Sequence, residues 1–342
     1  MNVANTGLNT AGPIFIGGPD RCGKTLLAAI LGSHSQIAIP IVGSNLWTYF
    51  YGQFGDLRQD RNFERCLSAL LRYKHARFLE PDPDRLRAEF VTGEHSYARL
   101  FGLIHQHFAE RQGKQRWGDQ TGLIERYADQ VMDAYPGARM IQMLRDPRDR
   151  YEASIRLWPK GKARAGGAVA RWGYSAALGE RNLRHHVGRY RIVRYEDLVT
   201  DPARVVEDLC GFVGLTFEPQ MLAMAGAPTY RRKLIDGGGT PERLITAANI
   251  GGYRGVIPQA DLAFIQGRLR EPMRRHRYAP DPIQMDSATW LRYAGVEWPL
   301  NMVRLAGWSG LEVLQHRFPG LIGRRPVAEK VVAAPGADSG SA

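Results

Sequence analysis

The sequence predicts an α/β protein in which helices cover both faces of a central parallel sheet. Two short apolar runs of strand length, Ile14-Phe15-Ile16 and Met140-Ile-Gln-Met-Leu144, alternate with segments whose apolar residues recur at helical spacing. The first run leads through a glycine-rich turn directly into a helix, and the second leads through Arg145-Asp-Pro147 into another. In such a fold ligands sit at the carboxyl ends of the strands, so both turns are candidate binding points.

Taken in order, residues 1–11 read as a loose leader. Pro13 to Gly17 is a buried strand. Gly17 to Gly23 is the turn, and Thr25 to Gly32 is a helix with Leu26, Leu27, Ile30 and Leu31 on one face. Gln36 to Ile39 is a second short strand. Residues 45–116 read as a helical insertion on the substrate side, broken at Pro81-Asp-Pro83. Leu123, Ile124, Tyr127, Val131 and Tyr135 mark a helix stopped by Pro136-Gly137. After the strand ending at Leu144, Pro147 suits the first position of a helix. Tyr190 to Tyr195 is a further strand, and Asp201 caps a helix running through Val205, Val206, Leu209, Phe212 and Val213. Residues 281–321 form a C-terminal extension with Trp290, Trp298 and Trp308, and the Ala/Gly/Ser/Pro-rich residues 322–342 read as a disordered tail.

The 342 residues carry 46 Lys and Arg against 34 Asp and Glu, a net charge of +12. That balance favours anionic ligands. The basic residues are spread along the chain and no aromatic-basic RNA signature occurs, so nucleic acid is not expected as a partner. Cys22, Cys66 and Cys210 are far apart and odd in number, which fits neither a disulfide framework nor a structural zinc site. The first residues lack signal-peptide order and no run reaches membrane-spanning length. The expectation is a soluble, cytoplasmic protein.

Gly18-Pro-Asp-Arg-Cys-Gly23-Lys24-Thr25 satisfies the phosphate-loop pattern G-x-x-x-x-G-K-[ST]. A loop between strand and helix turns backbone N–H groups and the positive end of the helix toward one oxyanion. An NTPase also needs a metal-binding aspartate at another strand end. Here the second strand ends instead in Arg145, suited to gripping a second phosphate in bidentate fashion. Two oxyanion points on two strand ends describe a nucleotide with phosphates on both sides of its ribose.

At this point the chain resembles the sulfotransferases that use 3′-phosphoadenosine 5′-phosphosulfate (PAPS). Gly18-Pro-Asp-Arg21-Cys22-Gly23-Lys24-Thr25-Leu-Leu is similar to that family's 5′-phosphosulfate loop, and Arg145-Asp-Pro-Arg-Asp-Arg-Tyr-Glu-Ala-Ser154 to its 3′-phosphate segment. Arg194-Tyr-Glu-Asp-Leu198 with Asp201-Pro202, then Phe212-Val-Gly214-Leu, then Gly252-Tyr253-Arg254 follow in the family's order. The resemblance covers about residues 13–280 and implies a sulfotransferase domain over 12–280, a P-loop-like fold, PAPS as co-substrate with PAP as product, and no metal. It implies that Arg21, Cys22, Gly23, Lys24 and Thr25 hold the 5′-phosphosulfate, that Arg145 and Ser154 hold the 3′-phosphate, and that Tyr253 and Arg254 complete the donor site.

Three departures matter. Ser154 is the ninth residue after Arg145, where the family's serine is the eighth, and one helical residue turns a side chain by about 100°. Gln120 stands where related enzymes often have lysine, which leaves Lys24 to supply the catalytic cation. The stretch after the second strand lacks the glutamate that serves several relatives as base, so the base comes from Asp119, Glu94, His95, His105 or His107, with Asp119 leading. A small molecule, glycan or lipid is the expected acceptor. Residues 298–325 either dock on an anionic membrane or pack on the core. A kinase or NTPase using Mg-ATP, and a nucleotide-binding module without activity, are the competing readings.

Overall fold

Ile14-Phe15-Ile16-Gly17 forms β1 (Ile14–Gly17), the middle strand of a five-stranded sheet. Its companions are β2 (Ile37–Ala38), β3 (Arg116–Gln120), β4 (Arg139–Leu144) and β5 (Tyr190–Arg194). The order is β2-β3-β1-β4-β5 and every pairing is parallel. The structure, a computed structural model, describes residues 12–157, 164–240 and 244–318. The leader 1–11 and the tail 322–342 lie outside the described residues.

Successive strand residues point to opposite faces. Phe15 therefore enters one core, while Ile14 and Ile16 enter the other. All four residues of β1 are buried, as a strand covered on both faces requires. The register sets Ile16 beside Gln120 on one side and Ile141 on the other. The carboxyl ends of β3, β1 and β4 thus stand in a row, carrying Gln120, the phosphate loop and Arg145.

The Ile14/Ile16 face is covered by α1 (Lys24–Leu31), α10 (Tyr195–Thr200) and α11 (Pro202–Val213). Asp201 accepts a hydrogen bond from the Arg204 backbone N–H, Pro202 fills the first turn of α11, and Gly214 at φ +76° ends it. Between β2 and β3 lie α2 (Leu46–Tyr49), α3 (Asp60–Arg72), α4 (Lys74–Arg77), α5 (Pro83–Phe90) and α6 (Tyr97–Arg111). They bury Trp47, Phe63, Leu67, Phe90 and Phe101 against the Phe15 face. The Pro-Asp-Pro break becomes a start signal: Asp82 accepts from the backbone N–H groups of Asp84 and Arg85, and Pro83 opens α5.

After β3 a 3₁₀ turn at Ile124–Tyr127 precedes α7 (Ala128–Ala134), a shorter helix than the spacing predicts because Leu123 sits at φ +60°. α8 (Pro147–Leu157), α9 (Ala165–His185), α12 (Pro228–Asp236) and α13 (Gln259–Arg275) follow. α14 (Ser287–Arg292) runs into α15 (Trp298–Arg317) through a π turn at Tyr293–Glu297. Pro299 lies just beyond that turn. Its ring has no N–H and crowds the carbonyl four residues back, and the wider turn relieves this. α15 lies on α9, and Arg126 and Glu312 meet beneath it in a buried ion pair of 2.9 Å. Among the described residues no helix is long and apolar enough to cross a membrane.

Candidate active site

The loop between β1 and α1 takes a left-handed backbone at Gly18 (φ +113°), Arg21 (φ +66°) and Gly23 (φ +91°). Gly18 has two reasons to be glycine. Its φ is costly for any side chain, and a Cβ there would sit 2.1 Å from the Met143 carbonyl oxygen. Arg21 accepts a strain of about 1–2 kcal/mol without that excuse. α1 begins at Gly23 with no side-chain cap and no acid in its first turn. Its first N–H groups and its positive dipole end are therefore left for an anion.

Two buried charges brace the loop from behind. Glu125 accepts from the Gly18 N–H at 2.9 Å and from the Ser175 hydroxyl. Arg150, fully enclosed, donates through Nε to the Asp20 carbonyl at 2.9 Å. Burial pushes the Glu125 carboxyl above its usual range, with the Ser175 and Gly18 hydrogen bonds opposing it in part. A carboxyl raised on folding binds its proton more tightly in the folded state. Its stabilising contribution is full below the unfolded value, about 4.3, and is lost as pH rises through the folded value. Glu125→Gln keeps an acceptor for Gly18 and removes this loss. The melting temperature of the variant minus that of the wild type is therefore expected to grow as pH rises from about 4.3 toward neutrality; parallel pH profiles would contradict a carboxyl raised by burial.

The predicted donor residues divide. Arg21, Gly23, Lys24, Thr25 and Arg145 line one cavity of about 320 Å³, joined by Arg156, Tyr195, Tyr230 and Asn249. Lys24 Nζ donates to the carbonyls of Gly18 (2.9 Å) and Pro19 (2.6 Å), which holds the ammonium across the loop. The Arg145 guanidinium lies 4.6 Å from the Tyr195 ring centroid, donates to Asn249 O at 2.7 Å, and keeps its buried Nε without a partner. No carboxylate is among the described residues that line this cavity.

The other predictions are corrected. Ser154 is buried on α8 and donates to the Arg150 carbonyl at 2.8 Å, one turn back along its own helix. The one-residue offset has rotated it off the cavity. The Cys22 side chain faces the core, and burial pushes its thiol up to about 11, so this position offers the cavity only backbone. Tyr253 and Arg254 turn to Asp281 instead: Tyr253 Oη donates to it at 2.5 Å and Arg254 Nε at 3.2 Å. Their loop is fixed by Asp149, which accepts from the Gly251 and Tyr253 N–H groups.

Asp119 is sealed within the fold and accepts from the Ser44 N–H (3.0 Å), the Ser44 hydroxyl (2.6 Å) and the Thr121 hydroxyl (2.8 Å). Burial opposes its charge, but His105 at 3.6 Å and the Ser44 hydrogen bonds hold its carboxyl below the usual range. Held by these donors, it anchors the loop after β2 and is not among the residues that line the cavity. His105 is equally buried, His107 is spent on Glu89, His95 stacks on Phe90, and Glu94 is exposed on the surface of the insertion. Sequence reasoning missed His75, which α4 brings to the loop after β2. Its Nδ1 lies 2.9 Å from the Gly43 carbonyl and 3.3 Å from Asn45 Nδ2; in the tautomer that donates to the carbonyl, the lone pair is on Nε2. Gly43 packs on the Gln120 carbonyl, and the Gln120 side chain lies 3.5 Å from Thr25 Oγ1. His75 thus stands at the β2–β3 end of the row of strand ends.

A larger cavity of about 560 Å³ lies at the opposite end of the sheet, lined by Arg116, Arg139 and Arg189. These arginines donate to carbonyls at the ends of α7 and α11, including those of Pro136 and Val213. Cations at helix C-termini neutralise the negative dipole ends, so the carbonyls account for this cluster.

A phosphate loop on β1 with a second cationic strand end on β4 is the architecture of a nucleotide-dependent group transferase. The family-level comparison is specific: a sulfotransferase family model matches residues 13–219, and the chain belongs to that family. Its reaction is sulfuryl transfer. The fold is similar to that of the sulfotransferase domain from the Synechococcus PCC 7002 olefin synthase, with a TM-score of 0.51 at 20% identity over 78% of this chain and 95% of that one. The sulfotransferase domain from the curacin biosynthetic pathway gives 0.48 at 17% identity, over 79% and 99% of the two chains. A sulfotransferase from Alicyclobacillus acidocaldarius gives 0.38 at 21%, over 66% and 95%. No curated protein matches the chain.

Proposed function

We propose that the sulfuryl donor is PAPS and that the acceptor is a hydroxyl or amine on a small molecule, glycan or lipid. The carrying observation is one cavity that joins two anion-holding points, the uncapped start of α1 and the Arg145 guanidinium, without a lining carboxylate among the described residues. In this reading the 5′-phosphosulfate lies against Arg21, Gly23, Lys24 and Thr25. The 3′-phosphate lies at Arg145, with Arg156 taking the part assigned to Ser154. Tyr230 and Leu234 of α12 give a purine an apolar wall.

The acceptor comes from the β2–β3 side. Its oxygen or nitrogen forms a bond to sulfur as the bond from sulfur to the bridging oxygen breaks. The proton leaves to His75 Nε2, and the electron pair stays on the bridging oxygen of departing PAP. Lys24 is the cation placed to neutralise that oxygen, because Gln120 brings only an amide. Positioning and charge stabilisation carry such a transfer. Mg-ATP is the weaker reading, since the side chain beside Thr25 is that same amide rather than an aspartate. Three free, buried cysteines suit the reducing cytoplasm, where we place the reaction.

Thermal melting tests the reading. At a hundred times its dissociation constant a ligand adds about 2.7 kcal/mol. PAP is expected to raise the melting temperature and Mg-ATP is not; a shift with Mg-ATP alone would establish the kinase or NTPase reading instead.

A further inference from the structure

α15 carries apolar residues on its outer side as well as its inner one. Met302 and Leu305 pack on the core, and three polar residues also face the protein: Asn301 accepts from the Gly166 N–H at 3.2 Å, Arg304 reaches Asn301, and Glu312 pairs with Arg126. Its outer side carries Leu300, Val303, Gly307, Leu311 and Leu314, extended by Val296 before it and Phe318 after it. The six large residues of this stripe are between 42% and 69% exposed. Leaving such a face in water forgoes its burial energy, so a face this long and uninterrupted marks a contact.

The pattern also states what the contact is. Counted from Gly307, the apolar residues fall four, seven and eleven positions away in both directions. Two copies laid antiparallel about a twofold axis at Gly307 would therefore place Val303 against Leu311, Leu300 against Leu314 and Val296 against Phe318. A twofold interface requires this self-complementarity. At the crossing point a Cβ on Gly307 or Gly310 would meet nothing within 4 Å, so the surface is open there and the axes can approach closely. The paired stretch from Val296 to Phe318 is about 33 Å long. A membrane surface fits less well. An interfacial helix borders its apolar face with basic residues, whereas here Arg292 pairs with Glu297 and Arg304 turns to Asn301.

We infer that the outer face of α15 is the interface of an antiparallel homodimer centred on Gly307. The full chain is expected to sediment at twice the protomer mass at micromolar concentration. Val303→Glu with Leu314→Glu should weaken the dimer by at least about 100-fold, because each charge would be buried unpaired. Both positions are exposed in the protomer, so its melting temperature and PAP affinity should persist. Gly307→Cys should form an intermolecular disulfide on oxidation, since the two copies of that residue face each other. Val296→Cys should crosslink only when paired with Phe318→Cys. The native cysteines are buried and serve as internal controls. A monomer, a dimer indifferent to the two glutamates, or a crosslink from Val296→Cys alone would overturn the proposal. So would a monomer that binds phosphatidylserine vesicles through these residues, which would assign the face to a membrane.

Discussion

Arg145→Ala is expected to weaken PAP binding on the order of 100- to 1,000-fold while leaving a folded protein. The guanidinium closes the β4 end of the donor cavity, is flattened on Tyr195, and holds a buried Nε without a partner. Truncating one member of a desolvated charge pair costs about 2–5 kcal/mol. The protein itself loses the stacking on Tyr195, the link to Asn249 and a long contact to Arg21, and no carboxylate is left unpaired, so its unliganded melting curve should move little. Arg145→Lys should fall between, because lysine keeps the charge and loses the planar fork. Calorimetric titration with PAP reads all three proteins. Affinity within about threefold of wild type in the alanine variant would remove the second anion point from the proposal.

The second large effect separates the two sides of the transferred group. Lys24→Ala should lower turnover about 100- to 1,000-fold, the scale of a lost charge-stabilising group, with PAP affinity reduced far less. The loop keeps its backbone donors and its bracing by Glu125 and Arg150. His75→Gln should lower turnover about 100- to 10,000-fold with PAP affinity retained. The readout is PAP released from PAPS with a simple alcohol or phenol as acceptor. Intact turnover in Lys24→Ala sinks the lysine's role, and intact turnover in His75→Gln sinks the base.

The loop that lines the cavity was legible because its residues are contiguous. A strand, a turn and a helix start lie within Ile14–Leu31, and the residue types alone fix the loop's shape and polarity. Arg145 was legible for the same reason, standing at the end of an apolar run. Ser154 failed because a motif aligned by letters ignores helical phase, and one residue turned the hydroxyl onto Arg150. The burial of Asp119 was not legible, because sequence shows an acid at a strand end but not the three donors that hold it inside the fold. Tyr230, Asn249 and His75 come from distant segments, and nothing local announces them. His75 is held by Gly43, thirty-two residues away in the chain, by Asn45 and by stacking on Tyr73.

The contact of Gly18 with the Met143 carbonyl has a consequence for how such a protein can diverge. It clamps the loop on β1 to the backbone of β4, in a ladder where Gly17 lies beside Gln142. The span between the two anion points is thus set by main-chain spacing rather than by adjustable side chains. If the proposed donor site is right, the pocket is a fixed-jaw caliper for one nucleotide. Substitutions cannot easily regauge it without prying two central strands apart. The helices between β2 and β3 are bound by no such gauge, so new acceptors can be explored there while the donor is inherited unchanged.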